Sequence, residues 1–185
     1  MTRSPDDILD ELLVLRCQDG DAKALEALVG RWEHRLRRHA WRLTGRVDAA
    51  SDVVQDTWLA IVRGIRRLDD PARFQPWALR IVTNKCADWT RRRQRQRRLM
   101  QNVTGNAAVR ATRPADGETR TDEIDRLLQA LRKLPTDHRV ILSMFYLDGL
   151  STRQIAQSLA LPVGTVKSRL YHARNQLKHV LERKR

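Results

Sequence analysis

The stretch Leu150-Ser151-Thr152-Arg153-Gln154-Ile155-Ala156-Gln157-Ser158-Leu159-Ala160-Leu161-Pro162-Val163-Gly164-Thr165-Val166-Lys167-Ser168-Arg169-Leu170 reads as two short helices joined by a tight turn. Ser151 is a natural N-cap, since its hydroxyl can take one of the free amides of the first turn. Ile155, Ala156 and Leu159 share the inner face of the first helix, and the small Ala156 lets a second helix cross closely. Val166 and Leu170 anchor that second helix, which leaves Thr165, Lys167, Ser168, Tyr171 and His172 pointing outward. Arg153 and Arg174 add positive charge to the segment and just beyond it. Hydroxyls, cations and rings on an exposed helix suit the phosphates and base edges of a DNA major groove. The segment reads as a helix-turn-helix; the alternative is an ordinary helical hairpin whose charged residues form a solvated face. One position departs from the common pattern: Ala160 stands where the first helix usually ends on Gly or Asn. A left-handed backbone there costs about 1 kcal/mol relative to Gly.

The surroundings agree in charge. Residues 123–185 hold twelve Lys and Arg against five Asp and Glu, and the whole chain carries 36 against 22, a formal net charge of +14. Basic side chains displace the counterions condensed on nucleic-acid phosphates, so a polyanionic partner is expected. Upstream of the helix-turn-helix, Ile124, Leu127, Leu128, Leu131 and Leu134 mark another helix, closed by Pro135, and an apolar segment from Val140 to Leu147 follows. Residues 99–122 lose all periodicity; Gly105, Pro114 and Gly117 among small polar residues read as a linker.

The first hundred residues are helical in pattern as well. Ile8, Leu9, Leu12, Leu13 and Leu15 give a short amphipathic helix that stops at Asp19-Gly20-Asp21. Leu25, Leu28, Val29, Trp32, Leu36, Ala40 and Leu43 give a second. A third starts near Asp48 as N-cap, with Val53, Val54, Trp58, Ile61, Val62, Ile65 and Leu68 as its buried stripe. Asp69-Asp70-Pro71 breaks it, and a fourth runs from about Pro76 into an arginine run. The fold expected is all-α: two small helical domains, 1–98 and 123–185, joined by a flexible linker over 99–122. The second contains the helix-turn-helix. Cys17 and Cys86 form no CxxC pair and the five His are scattered, so no metal and no cofactor are expected. The first ten residues lack a signal-peptide core and no apolar run suits membrane insertion, which places the protein in a cytoplasm, at the nucleoid.

The string from Gly149 to Leu170, followed by Ala173-Arg174, resembles region 4 of extracytoplasmic-function (ECF) RNA polymerase sigma factors, members of the sigma-70 family. LuxR-type regulators carry a similar Thr-Val-Lys helix, and the first domain separates the two. Asp48-Ala49-Ala50-Ser51-Asp52-Val53-Val54-Gln55-Asp56-Thr57-Trp58 is similar to region 2.2 of that family, and Phe74 to Asn84 resembles regions 2.3 and 2.4. The resemblance spans Asp21 to the end, apart from the linker. It implies a protein that binds core polymerase (clamp helices and the flap of the large subunits) and directs promoter recognition, −10 melting and transcription initiation. Catalysis would belong to the core enzyme. An anti-sigma partner is also implied, of an identity the sequence does not encode.

Candidate residues follow. Asp52, Gln55, Asp56 and Leu59 fall at i, i+3, i+4 and i+7, one acidic strip on the third helix. By spacing it is a solvated face or a docking face; with Asp48, the resemblance implies core-polymerase docking. Arg91 and Arg92, in the arginine run, suit promoter phosphates, which position without specifying. Phe74, Trp77, Arg80, Asn84 and Lys85 complete the set implied for the −10 element, with Asn84 at the position that meets a flipped-out base. Trp77 fits base stacking or core packing equally. The −35 set is Arg153, Thr165, Lys167, Ser168, Tyr171, His172 and Arg174. Rival functions lack support: an operator-binding regulator needs a sensor domain, and an RNA-binding accessory protein a platform of stacking aromatics. An enzyme needs a nucleophile–base pair, metal cluster or phosphate-cradling loop, and none is visible.

Overall fold

The computed structural model of the chain describes residues 4–101 and 122–182, with side chains over 4–100 and 126–182. Helix α1 (Pro5–Gln18) opens on a capping box in which Ser4 and Asp7 exchange side-chain and backbone bonds. Its inner face differs from the apolar stripe of the sequence reading. Asp10, Leu13, Val14 and Cys17 are buried, while Ile8, Leu9, Leu12 and Leu15 are exposed. Asp10 is the reason. Its carboxylate accepts from the Trp32 indole at 3.0 Å and from Arg31 at 2.7 Å, so the acid turns inward and sets the helix face.

Helix α2 (Ala22–Thr44) is capped by Asp21 and stops at left-handed Gly45, with Leu28, Trp32, Leu36, Ala40 and Leu43 buried as the periodicity predicts. Helix α3 (Val47–Gly64) begins one residue before its expected cap: Arg46 is the N-cap position and Asp48 lies in the first turn. Val53, Val54, Ile61 and Ile65 are buried, but Val62 is exposed and Trp58 half-buried. Val62 lies three residues from exposed Leu59, on the outer side of the helix. Two 3₁₀ turns (Ile65–Arg67 and Pro71–Arg73) lead into α4 (Phe74–Gln101), which starts two residues before Pro76. Helix α4 also runs through Leu99 and Met100, so that end of the expected linker is helical. Residues 102–121 of that linker lie outside the described residues.

The second half holds α5 (Asp122–Lys133), α6 (Thr136–Leu142) continued by a π-helical turn (Ser143–Leu147), α7 (Thr152–Leu159) and α8 (Val163–Glu182). Ser151 caps α7 in a full capping box with Gln154. Ala160 is left-handed, at φ 52°. The Leu161 amide bonds back to the Ala156 carbonyl at 3.0 Å, which closes a Schellman turn. Val166 and Leu170 are buried against Ile155, as the motif requires.

Among the described residues there is no strand, and no helix is long and apolar enough to cross a membrane. Both cysteines are free and buried, and burial pushes the Cys86 thiol up to about 12. The two halves pack on each other: one contiguous apolar core runs from Trp32 and Phe74 in the first to Ile141, Met144 and Ile155 in the second.

Candidate nucleic-acid interface

On α8, Lys167, Ser168, Tyr171 and His172 are all exposed, and Thr165 is half-buried at the base of the same face. Ser168 donates to the Thr165 carbonyl at 3.0 Å, which fixes its hydroxyl near the helix. Tyr171 and His172 meet edge to face with ring centroids 5.5 Å apart. Arg153 is exposed on α7. Arg174 is exposed but engaged, donating to the Tyr146 hydroxyl at 2.6 Å and lying over the Phe145 ring. Helix α8 thus offers one donor-rich face held from below by Val166 and Leu170.

On α4, Arg80, Asn84, Arg91 and Arg92 are exposed and Lys85 is half-buried. Arg80, Asn84 and Arg91 are spaced by four and seven residues, which stacks them on one side of the helix. Arg91 pairs with Asp88, which leaves it less charge to offer a phosphate than its exposure suggests. The aromatic members of the predicted −10 set sit differently. Phe74 is 1% exposed, packed edge to face on Trp32 at 5.3 Å, so its ring belongs to the core and has no surface to offer a base. Trp77 is half-buried, and a Cβ added at Gly64 would stand 3.0 Å from its ring. Gly64 is therefore the floor on which Trp77 packs.

On α3, Asp52, Gln55, Asp56 and Leu59 are exposed, and exposed Val62 extends the strip by one turn. Asp48 is exposed too, but Arg46 forks onto it with two bonds. That hydrogen bonding, with the Ala49 amide, lowers its carboxyl to about 2.

A fourth cluster was not singled out from the sequence. Where the halves meet, the Asp148 carboxylate lies 2.6 Å from His39 Nδ1 and accepts from Arg42 at 3.0 Å, all three side chains buried. His39 Nε2 lies 3.0 Å from the Thr83 hydroxyl. Gln75 donates to the Asp148 carbonyl and Ser158 to the Pro76 carbonyl, both at 2.8 Å. Burial works to raise the Asp148 carboxyl, but His39 and Arg42 outweigh it and hold the group below its usual range. The available signal was weak: His39 and Arg42 fall on the buried register of α2 beside Leu36, Ala40 and Leu43.

Two family models and several known proteins match the chain. Residues 28–96 match the family model for sigma-70 region 2 and residues 124–177 the model for sigma-70, region 4. The ECF RNA polymerase sigma-E factor of Haemophilus influenzae is 28% identical over 183 residues, covering 95% of this chain and 96% of its own. CnrH, solved in complex with the cytosolic domain of CnrY, superposes with a TM-score of 0.72 at 27% identity, over 96% of this chain and 99% of that one. The sigma factor RpoE of Bartonella quintana, solved with the anti-sigma factor NepR, shares the fold at 22% identity and a TM-score of 0.75, over 89% of this chain and 100% of that one. The region 2 match covers α3 and most of α4, the region 4 match covers the helix-turn-helix, and the relatives align over nearly the whole length. The chain belongs to the sigma-70 family, as an ECF sigma factor that serves promoter recognition.

Proposed function

We propose that the chain docks on core RNA polymerase through the outer face of α3. In that complex Arg80, Asn84, Lys85, Arg91 and Arg92 of α4 engage the −10 element. Arg153, Thr165, Lys167, Ser168, Tyr171, His172 and Arg174 engage the −35 duplex. The chemistry stays with the polymerase core, as the sigma-70 family consists of non-catalytic initiation factors. The protein acts where the polymerase and chromosome are, in the cytoplasm. A segment of an anti-sigma factor is the expected antagonist, since RpoE was solved in such a complex.

One observation carries the proposal: three exposed faces of different chemistry survive the packing. They are acidic and apolar on α3, basic with an amide on α4, and donor-rich on α8. A generic DNA-binding protein requires only the last. Ser158 on α7 touches the start of α4, so the helix-turn-helix lies against the helix assigned to the −10 element. Two promoter sites one and a half turns apart lie about 50–55 Å from each other, at ~34–36 Å per turn. The halves must therefore part before both sites are read.

The test mixes the purified chain with sigma-free core polymerase and maps transcript starts. A shared upstream motif is the expected result. Asp52→Arg with Asp56→Arg reverses two charges on exposed positions off the Val53 and Ile61 stripe, so the helix should persist. Like charges at an interface can cost several kcal/mol. The double variant should lose core binding while keeping nonspecific DNA affinity; core binding as tight as the parent's would move the docking face elsewhere.

A further inference from the structure

A cavity of about 310 Å³ opens at the joint, and its wall is made by both halves of the chain. Arg46 comes from the start of α3, Arg93 and Arg97 from α4, Arg132 from the end of α5 and Arg139 from α6; Trp89 adds an aromatic side. Among the described residues, none that lines it is acidic. Five arginines converging on one space repel each other, and folding normally avoids that unless something negative enters. Burial lowers both Arg93 and Arg139, with Arg46 and Arg97 adding to the effect at Arg93 and Arg132 at Arg139.

Not all of the five are equally open. Arg46 is committed to Asp48, Arg132 lies over the Trp41 ring, and Arg93 lies over Trp89. Arg139 carries the strongest indication. Its Nε is buried, with no hydrogen-bond partner among the described residues, although buried guanidinium nitrogens are normally satisfied. A guanidinium fork matches two phosphate oxygens at once, which a single chloride or water cannot do. The volume is at the low end of small-molecule pockets, which suits a compact ligand of several charges.

We propose that this cavity binds a small polyphosphate anion, held jointly by Arg97 from the first half and Arg139 from the second. Inorganic tripolyphosphate and a nucleoside triphosphate share the chemistry. In the nucleotide, the base has Trp89 beside it. Because the arginines come from both halves, the bound anion ties the halves together and stabilises the packed form.

The experiment is calorimetric titration of the full chain with sodium tripolyphosphate, then with ATP, in about 0.15 M salt, where exposed charges are screened beyond roughly 8 Å. One anion per chain is expected, with a rise in melting temperature. Arg97→Gln and Arg139→Gln should each weaken tripolyphosphate binding at least tenfold. Arg95→Gln and Arg98→Gln, exposed α4 positions outside the cavity wall, should change it less than twofold. Trp89→Leu should weaken ATP but spare tripolyphosphate if the nucleotide is the ligand; equal affinities for both probes, with Trp89 indifferent, would identify inorganic polyphosphate. Absence of saturable binding to either probe overturns the proposal. So does equal loss in all four arginine variants, which is nonspecific attraction. Parental binding by Arg139→Gln overturns it as well, since the anion would then lie on α4 alone.

Discussion

The outer face of α8 and the joint between the halves both present polar and charged side chains, and they hold them in opposite ways. On α8, Lys167, Ser168, Tyr171 and His172 stand in solvent, held only by the helix beneath them. At the joint, His39, Arg42 and Asp148 are withdrawn from water, and the one carboxylate meets both other side chains across residue separations of 109 and 106, while His39 also reaches Thr83 and Arg42 the Arg38 carbonyl. A solvated face costs nothing to expose, so it can wait for DNA. Buried charge costs several kcal/mol per ion unless the partner is present, so the joint is strong when closed and poor when half-made. The faces that recognise partners are permissive; the contact that holds the halves together is all-or-none.

The largest expected effect comes from breaking the joint. Asp148→Ala leaves His39 and Arg42 buried without their carboxylate, and removal of one partner of a buried pair costs about 3–5 kcal/mol. Each half also packs its own helices together, α1 to α4 in one and α5 to α8 in the other, so helical content should persist while the radius of gyration by X-ray scattering rises. Promoter-specific initiation with core polymerase should increase if closure opposes it. An unchanged radius would show that the apolar contacts around Met144 and Ile155 hold the joint alone. The pH dependence has a fixed sign. Asp148 is held below its ordinary value, so its contribution is present above the unfolded carboxylate range and is lost as pH falls through the lower folded value. Acidification to about pH 5 should therefore leave the Asp148 share of the joint intact, when read by the same scattering measurement.

The same contrast explains what could be read in the sequence. Val166 and Leu170 repeat at four residues and Ser151 caps α7, which are local facts; the helix-turn-helix was legible down to its anchors. The face of α1 was not, because Asp10 is buried for the sake of Trp32 and Arg31, twenty-odd residues away. Phe74 falls in the set implied for the −10 element, and nothing local shows that its ring packs on Trp32 of another helix. The joint failed for that reason in stronger form. Asp148-Gly149 signals a turn, and nothing nearby indicates that the carboxylate meets α2 and the carbonyl meets Gln75. Periodicity reports which side of a helix is apolar; it does not report which polar groups find partners across the chain.

A smaller effect is expected on the permissive side. Lys167→Ala removes one exposed cation and no packing, so the melting temperature should stay within about a degree while promoter affinity falls. A lost phosphate contact reduces the salt slope of binding by about one and weakens all sequences alike, whereas a lost base contact costs about 1–3 kcal/mol and relaxes one position. Titration against −35 duplexes at several salt concentrations separates these. Val166→Ala is the counterpart: it empties buried space, and it should lower stability without altering base preference in the folded fraction. If Lys167→Ala changes neither affinity nor preference, α8 is not the helix that reads.

The smallest effect lies at the turn that aims α8. Ala160 is left-handed, with φ 52° and ψ 45°, and it is the only non-glycine residue with positive φ among the described residues. An L side chain there brings Cβ close to a carbonyl oxygen, at a cost of about 1–2 kcal/mol that glycine avoids. Glycine gives part of that back, because its unfolded chain has more conformations to lose. The alanine methyl is exposed, so its removal opens no cavity. Ala160→Gly should thus stabilise the second half by somewhat under 1 kcal/mol, a rise of a few degrees in melting temperature for a unit of this size. The Leu161 to Ala156 bond and the helix crossing remain, so affinity for the −35 duplex should be unchanged. A fall in affinity at higher stability would mean that the alanine fixes the angle of α8 on DNA, and that the strain at this turn serves recognition.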